Sequence, residues 1–367
     1  MERRGLVAAV GMLIVHGALS AQPPLVQFKA TEQWRVDGSE SGEPLGGLRD
    51  FVVLRDGSMW VLDFKDQYIR RYDASGTFLG VTGRKGSGPG EMSNANGLAA
   101  SPDNTVWVND PDNARINIYT ADGKFQRQIT RSPGGYAYRW GAWFDKSNGE
   151  LYEQTIGGPP RWRRVGGKGD TANSVAFTSC HDRQPSPGFI RGETKGHGST
   201  NMGYPFSSGG GMVAVGDKSL WCAAPRASRV ARVRVGTNDT LARTTVEIPL
   251  IVVDNAERDA AIAGIEKSLS RYAVNNFDKS KVPKSKPGIA GVHVDGDRRL
   301  WVQHAAKIGV RTTTFDVHDA TGLRVARLTI PARAVWYMPL QSNGDRVWLV
   351  VLDDDDVQSI VQYKLSR

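Results

Sequence analysis

The feature that most constrains this chain is a short stretch that recurs along it: turn residues, an apolar residue, a Trp or Tyr, then a strand-like run. It reads "RDGSMWVLD", "PDNTVWVND", "KSNGELYEQ", "GDKSLWCAA", "GDRRLWVQH" and "NGDRVWLVV", with aromatic positions Trp60, Trp107, Tyr152, Trp221, Trp301 and Trp348. Successive positions are 47, 45, 69, 80 and 47 residues apart. A unit this short cannot bury both of its faces alone, so copies must pack against one another and share a core.

The short intervals match the roughly 40 to 50 residues expected of one four-stranded antiparallel sheet in a radial array. In "VWVNDPDNARINIYTADGKFQRQI" three alternating strands are split by "DPDNA" and "ADG", and "NGLAASP" supplies an inner strand before them. The expected fold is an all-β, six-bladed β-propeller over residues 22–367. The two long intervals then carry insertions at about 157–204 and 254–288. The last unit ends in "DDDDVQSIVQYKLSR" without a fourth strand, and "VQFKATEQWRVDG" (Val26 to Gly38) is expected to supply it, so that pairing the two ends leaves no open edge.

The glycine cluster in "GRKGSGPGEM" tests this reading. A phosphate-binding glycine loop joins a buried strand to a helix N-terminus. This one leads into two strands and is expected to be a crossing between blades. "GSGPGEM" followed by "NGLAASPDNTVWVNDPDNARINIYTADGKF" resembles the NHL-type family of six-bladed propellers: a glycine-rich connector, an inner strand, an aromatic strand, an Asn-Arg-Ile hairpin and a Gly-aromatic outer strand. The resemblance covers about residues 50–130 and implies a binding or scaffolding propeller. Some NHL-like enzymes, the peptidyl-amidoglycolate lyases among them, use a metal and histidines near the channel, but their motif does not map residue by residue onto this chain.

The start, "MERRGLVAAVGMLIVHGALSAQPP", has a basic region, an apolar segment and small residues at Ala18, Ser20 and Ala21. That is the pattern of a signal peptide over residues 1–21, too short for a comfortable membrane span. A periplasmic or secreted location follows, with no transmembrane segment after cleavage. The formal charge of +9 becomes +8 when Arg3, Arg4 and Glu2 leave with that segment. The basic stretches "RWRRVGGKGD" and "KSKVPKSKP" form no nucleic-acid motif and read as solvated loops. Export permits a disulfide between Cys180 and Cys222, the two cysteines of the chain.

"DNAERDAAIAGIEKSLSRYAVNNF" (Asp254 to Phe277) breaks the strand pattern. Asp254 with Glu257 reads as a variant capping box, and Ile262, Ile265, Leu269 and Tyr272 share a helical face. The helix is expected on a rim, between blades four and five. Propellers present ligands where inner strands and connectors converge at one channel mouth. The repeat places Arg49, Asp50, Asn94, Asn96, Arg139, Trp140, Tyr204, His293 and Trp336 there. Aromatic faces stack and Arg binds oxyanions through two bonds, which suits an anionic or carbohydrate ligand or an unidentified protein partner. No motif specifies a cofactor or catalytic residues. The histidines lack HxxxH or HExxH spacing, and "LDDDDV" lacks calcium-loop spacing and reads as a solvated turn. The alternative is a metal-dependent hydrolase or lyase acting on a glycan, lactone or peptide derivative, with a divalent metal in the channel.

Overall fold

The computed structural model describes residues 25–39, 42, 44–131, 138–154, 161–165, 171–172, 174–179, 188–194, 198–207, 211–237, 239–307 and 309–367. The expected signal peptide, Cys180, His181 and His197 lie outside them. Strand β1 (Val26–Val36) comes first, followed by one antiparallel sheet of β2 (Leu48–Val53), β3 (Met59–Asp63), β4 (Tyr68–Tyr72) and β5 (Phe78–Thr82). The next sheet holds β6 (Gly97–Ala100), β7 (Val106–Asp110), β8 (Arg115–Tyr119) and β9 (Phe125–Arg131). After it come β10 (Ala142–Phe144), β11 (Leu151–Gln154) and β12 (Arg161–Val165), then β13 (Thr171–Ala172), which pairs back onto β9, and β14 (Ser174–Ser179), which completes the third sheet.

A hairpin of β15 (Phe189–Thr194) and β16 (Gly198–Gly203) stands outside the series, which resumes with β17 (Met212–Ala214), β18 (Ser219–Ala224), β19 (Arg229–Arg234) and β20 (Thr240–Thr245). Then come β21 (Ile251–Val252), helix α1 (Asn255–Leu269), β22 (Val274–Asn275) and β23 (Ser285–Lys286). Strands β24 (Ile289–Val294), β25 (Leu300–His304), β26 (Thr313–His318) and β27 (Arg324–Ile330) form another antiparallel sheet. The chain ends with β28 (Arg333–Ala334), β29 (Gln341–Asn343), β30 (Arg346–Leu352) and β31 (Gln358–Ser366).

The recurring aromatic residues lie on β3, β7, β11, β18, β25 and β30, the second strand of each sheet, and all are buried. Truncating such a side chain in a packed core costs roughly 3–5 kcal/mol, so the repeat is first a packing repeat. The Asp before it folds the turn. The carboxylates of Asp56, Asp103, Asp145 and Asp295 each accept the backbone N–H two residues on, at 2.8–3.0 Å. These are Asx turns, which is why "DG" and "DN" punctuate the repeat.

The core sits between sheets. Trp60 and Leu62 of β3 pack on Leu98 and Val108 of the next sheet, Trp107 on Trp140 and Leu151, and Tyr152 on Leu220 and Cys222. Trp221 then packs with Leu300 and Val302, and Trp301 and Phe315 with Leu349 and Val361. Trp348 and Ile360 close the circuit against Phe51 and Met59 of the first sheet. The inner strands follow the same order, β2 beside β6, β6 beside β10, β17 beside β24 and β29 beside β2. Strand β1 supplies the outer strand missing from the last sheet: it runs antiparallel to β31 from Lys29 opposite Ser366 to Val36 opposite Ile360, and its first residues pair in parallel with β27.

The glycine cluster is a connector between β5 and β6, and its polarity is the reverse of an anion cradle. Arg115 donates to the carbonyls of Ser87, Gly88 and Glu91 at 2.8–3.0 Å, and Tyr119 donates to Gly90 O at 2.9 Å. The Gly88 N–H already donates to the Glu91 carboxylate, at 2.8 Å. Gly90 holds φ at +71° with the Phe125 side chain 3.0 Å from where its Cβ would stand, so the position excludes other residues.

Candidate binding site on the connector face

Four antiparallel strands bring the chain back to the end of the sheet where it began. Every connector between sheets, and every turn between second and third strands, therefore lies on one face of the array. Arg49 and Asp50 begin β2, Arg139 precedes β10, and Trp336 precedes β29, so all four lie toward that face.

Arg49 is buried as a layer between two rings, its guanidinium 3.6 Å from the Phe64 centroid and 4.0 Å from that of Tyr138, and it donates to Tyr138 O at 2.7 Å. Tyr138 meets Tyr337 edge to face at 5.8 Å, and Tyr337 meets Trp336 likewise at 5.5 Å. These rings remain open to solvent, Tyr138 at 52%, Trp336 at 57% and Tyr337 at 38% exposure. Burial raises the Tyr337 hydroxyl pKa, with Tyr138 adding to the rise and Arg49 opposing it.

The inner strands that follow these connectors carry buried polar side chains. Asp50 is buried and accepts Phe51 N–H at 3.0 Å, Leu98 N–H at 2.9 Å and Arg139 Nη1 at 3.2 Å. Burial raises its carboxyl pKa, and Arg139 and the Leu98 N–H act against that rise. His293 is buried with Nε2 3.2 Å from Gln303 Oε1. Burial lowers its imidazole to about 4, opposed by Gln303 and reinforced by the Arg139 charge. A Cβ on Gly291 would stand 2.8 Å from the Trp336 carbonyl and 3.4 Å from His293 Nε2, which places Trp336 directly over this strand. Gln303, on β25, ties that neighbouring strand to β28 by donating to Ala334 O at 3.0 Å.

Of the nine residues singled out from the repeat, Arg49, Asp50, Arg139, His293 and Trp336 thus come together. The others have framework roles. Asn94 uses its Nδ2 on Asp112 at 3.0 Å and its backbone N–H on Asp110. Buried Asn96 accepts Asn109 Nδ2 at 2.7 Å. Trp140 is buried, donating to Glu153 at 2.8 Å and packing in the interface between the second and third sheets. Tyr204 is not at the mouth: it packs with Ile190, Ile262 and Leu269 beneath α1, its hydroxyl accepting Asp278 N–H at 3.2 Å. It belongs to an insertion with its own small core. Sequence reasoning passed over Tyr138 and Tyr337, although each adjoins a selected residue in the same connector.

The two insertions form a single unit. Strand β15 pairs with both β16 and β22, and α1 packs Ile262 and Leu269 against Ile190 and Tyr204. Asp254 caps the helix by accepting Glu257 N–H at 2.8 Å, while the Glu257 carboxylate turns to Lys286 at 2.7 Å instead of back to the cap. The helix is shorter than expected, because the chain leaves it after Leu269 to pair with β15. Lys279 and Lys286 of the basic loop are ion-paired to Glu266 and Glu257 on α1. Arg161–Val165 of the other basic stretch is strand β12.

Elsewhere, His304 pairs with Asp316 at 2.9 Å inside its own sheet. Asp353 of the acidic run accepts the N–H groups of Asp355 and Val357 at 2.9 Å, a turn closed on itself. Among the described residues no three His, Cys, Asp or Glu side chains are grouped to hold a metal ion. Cys222 is disulfide-bonded. No described helix is long and apolar enough to cross a membrane.

No family model matches the chain, and no curated protein matches it. Solved structures do. A virginiamycin B lyase from Staphylococcus aureus aligns over 93% of this chain and 100% of its own, at 15% identity and a TM-score of 0.50. The protein U3-55K aligns over 92% and 98%, at 13% identity and a TM-score of 0.51. A member of the DUF4221 family from Bacteroides vulgatus aligns over 94% and 100%, at 10% identity and a TM-score of 0.50. At such identities the likeness concerns fold alone, and the fold it identifies, together with the sheets described above, is the β-propeller.

Proposed function

We propose that this chain is an exported propeller of six blades, of the NHL type, that serves as a binding or scaffolding module and engages an anionic or carbohydrate ligand at the connector-face mouth. The observation that carries the reading is the row of exposed rings, Tyr138, Tyr337 and Trp336, beside Arg49 and Arg139. Large aromatic side chains gain most by burial, so a cluster left in water is what a recognition surface requires. The unit built from both insertions joins the ring through chain segments on this same face and offers a second wall to a bound partner. Export of the chain, with residues 1–21 removed, and pairing of Cys222 with Cys180 belong to the same proposal.

The test is a microarray of neutral and acidic glycans probed with the mature protein and with Trp336→Ala and Tyr337→Ala. Both side chains are exposed, so melting temperatures should stay close to that of the parent while affinity for the bound glycans falls by about tenfold or more. Glycans that both variants bind as well as the parent does would refute the assignment.

A further inference from the structure

We infer that the ligand of this mouth is a carboxylate-bearing sugar, its ring stacked on the exposed aromatic faces and its carboxylate held by Arg139; this rests on the mouth being the binding site. Arg139 meets Asp50 through a single contact, Nη1 to Oδ1 at 3.2 Å, with its side chain 29% exposed. Its other two nitrogens have no hydrogen bond to a described residue. Asp50 is already served by two backbone N–H groups, so the contact with Arg139 is one of several and leaves most of the guanidinium fork available. A planar fork so placed takes a carboxylate through two parallel bonds.

The rings decide what carries that carboxylate. Tyr337 lies near right angles to both Tyr138 and Trp336, at 88° and 86°, so the rings offer separate small faces instead of one continuous apolar wall. Arg139, next to Tyr138 in the chain, keeps 29% of its side chain exposed, while Asp50, His293 and Gln303 are buried and hydrogen-bonded within the protein. An inorganic anion on the Arg139 fork would leave the exposed rings without contacts. A pyranose presents an apolar C–H face to a ring and hydroxyls around its edge, and a uronic acid adds the carboxylate.

Isothermal titration calorimetry of the mature protein with galacturonate and glucuronate trimers, each beside its methyl ester, tests the inference. At least one acid should bind about tenfold or more tighter than its ester. Arg139→Gln should erase that preference, Arg139→Lys should retain part of it, and Trp336→Ala should weaken acid and ester alike. If Arg139→Gln lowers the melting temperature, the lysine variant and the ester comparison in the parent still decide. Acid and ester bound equally, with binding still dependent on Trp336, would overturn the carboxylate and leave the mouth intact as the site. Binding indifferent to both Arg139 and Trp336 would overturn the site as well. No binding by any of the trimers would overturn the acidic-sugar assignment.

Discussion

Burial holds the His293 imidazole neutral until the pH falls to about 4, and this has a sign that can be checked. The unfolded chain takes up its proton near 6.5, so between 6.5 and 4 the unfolded state binds more protons than the folded one. The contribution of His293 is therefore fully present above pH 6.5 and is lost as pH falls toward 4, on the order of 3 kcal/mol in all. His318, also lowered mainly by burial, acts in the same direction, and the raised Asp50 acts in the opposite one. Comparing the parent with His293→Gln removes those shared terms. Chemical denaturation at pH 7, 5.5 and 4.5 should show the parent losing more stability than the variant, and parallel losses would contradict the assignment. At this scale distance from the repeat gave a residue's level in its sheet but not its role, since Asn96 and Trp140 hold the same distances as Arg49 and Trp336 and are framework residues. Arg49 and Asp50 begin an inner strand and Arg139 and Trp336 stand a few residues ahead of one, so all four could be assigned to the connector face. Tyr138 and Tyr337 were not legible, because whether a ring in a connector faces water depends on its neighbours across the array. Tyr204 was misplaced because it keeps the polarity of a connector residue but lies under a helix contributed by a distant segment.

Strand β1 is the element on which the architecture depends most. It gives β31 its outer partner over Lys29–Val36 and touches β27 with Val26–Phe28, so it links the last two sheets. Its contacts are far apart in sequence, and without them β31 becomes an open edge prone to pair with another chain. A chain beginning after Val36 should melt at a markedly lower temperature in differential scanning fluorimetry and form larger species in size-exclusion chromatography. An unchanged, monomeric profile would contradict the closure. This strand was legible from counting, since the last unit lacked a fourth strand and the N-terminal segment had no partner. The union of the two insertions was not legible. The backbone pairing of Gly192 and Glu193 with Asn275 and Val274 spans some eighty residues, and neither segment carries a pattern naming the other. Helix α1 itself was foreseen, because Asp254 and the spacing of Ile262 and Leu269 are local signals.

At the scale of the molecule, alternating strand direction divides the turns and the connectors between two faces. The turns at Asp56, Asp103, Asp145 and Asp295 are closed on themselves by their own carboxylates and have little left with which to bind. The connectors on the other face carry the exposed rings, Arg139 and the attachment of the helical unit. The array of sheets could be read from six aromatic residues because packing between sheets repeats. The chemistry of the mouth could not, because it is assembled from connectors that have no reason to resemble one another. The most direct test of the proposed function is hydrogen–deuterium exchange on residues 22–367 with and without the glycan that the microarray selects. Binding at the proposed mouth should slow exchange at residues 138–142, 289–294 and 334–338 on the connector face. Protection confined to the opposite turns, residues 54–58, 101–105 and 295–299, would contradict it.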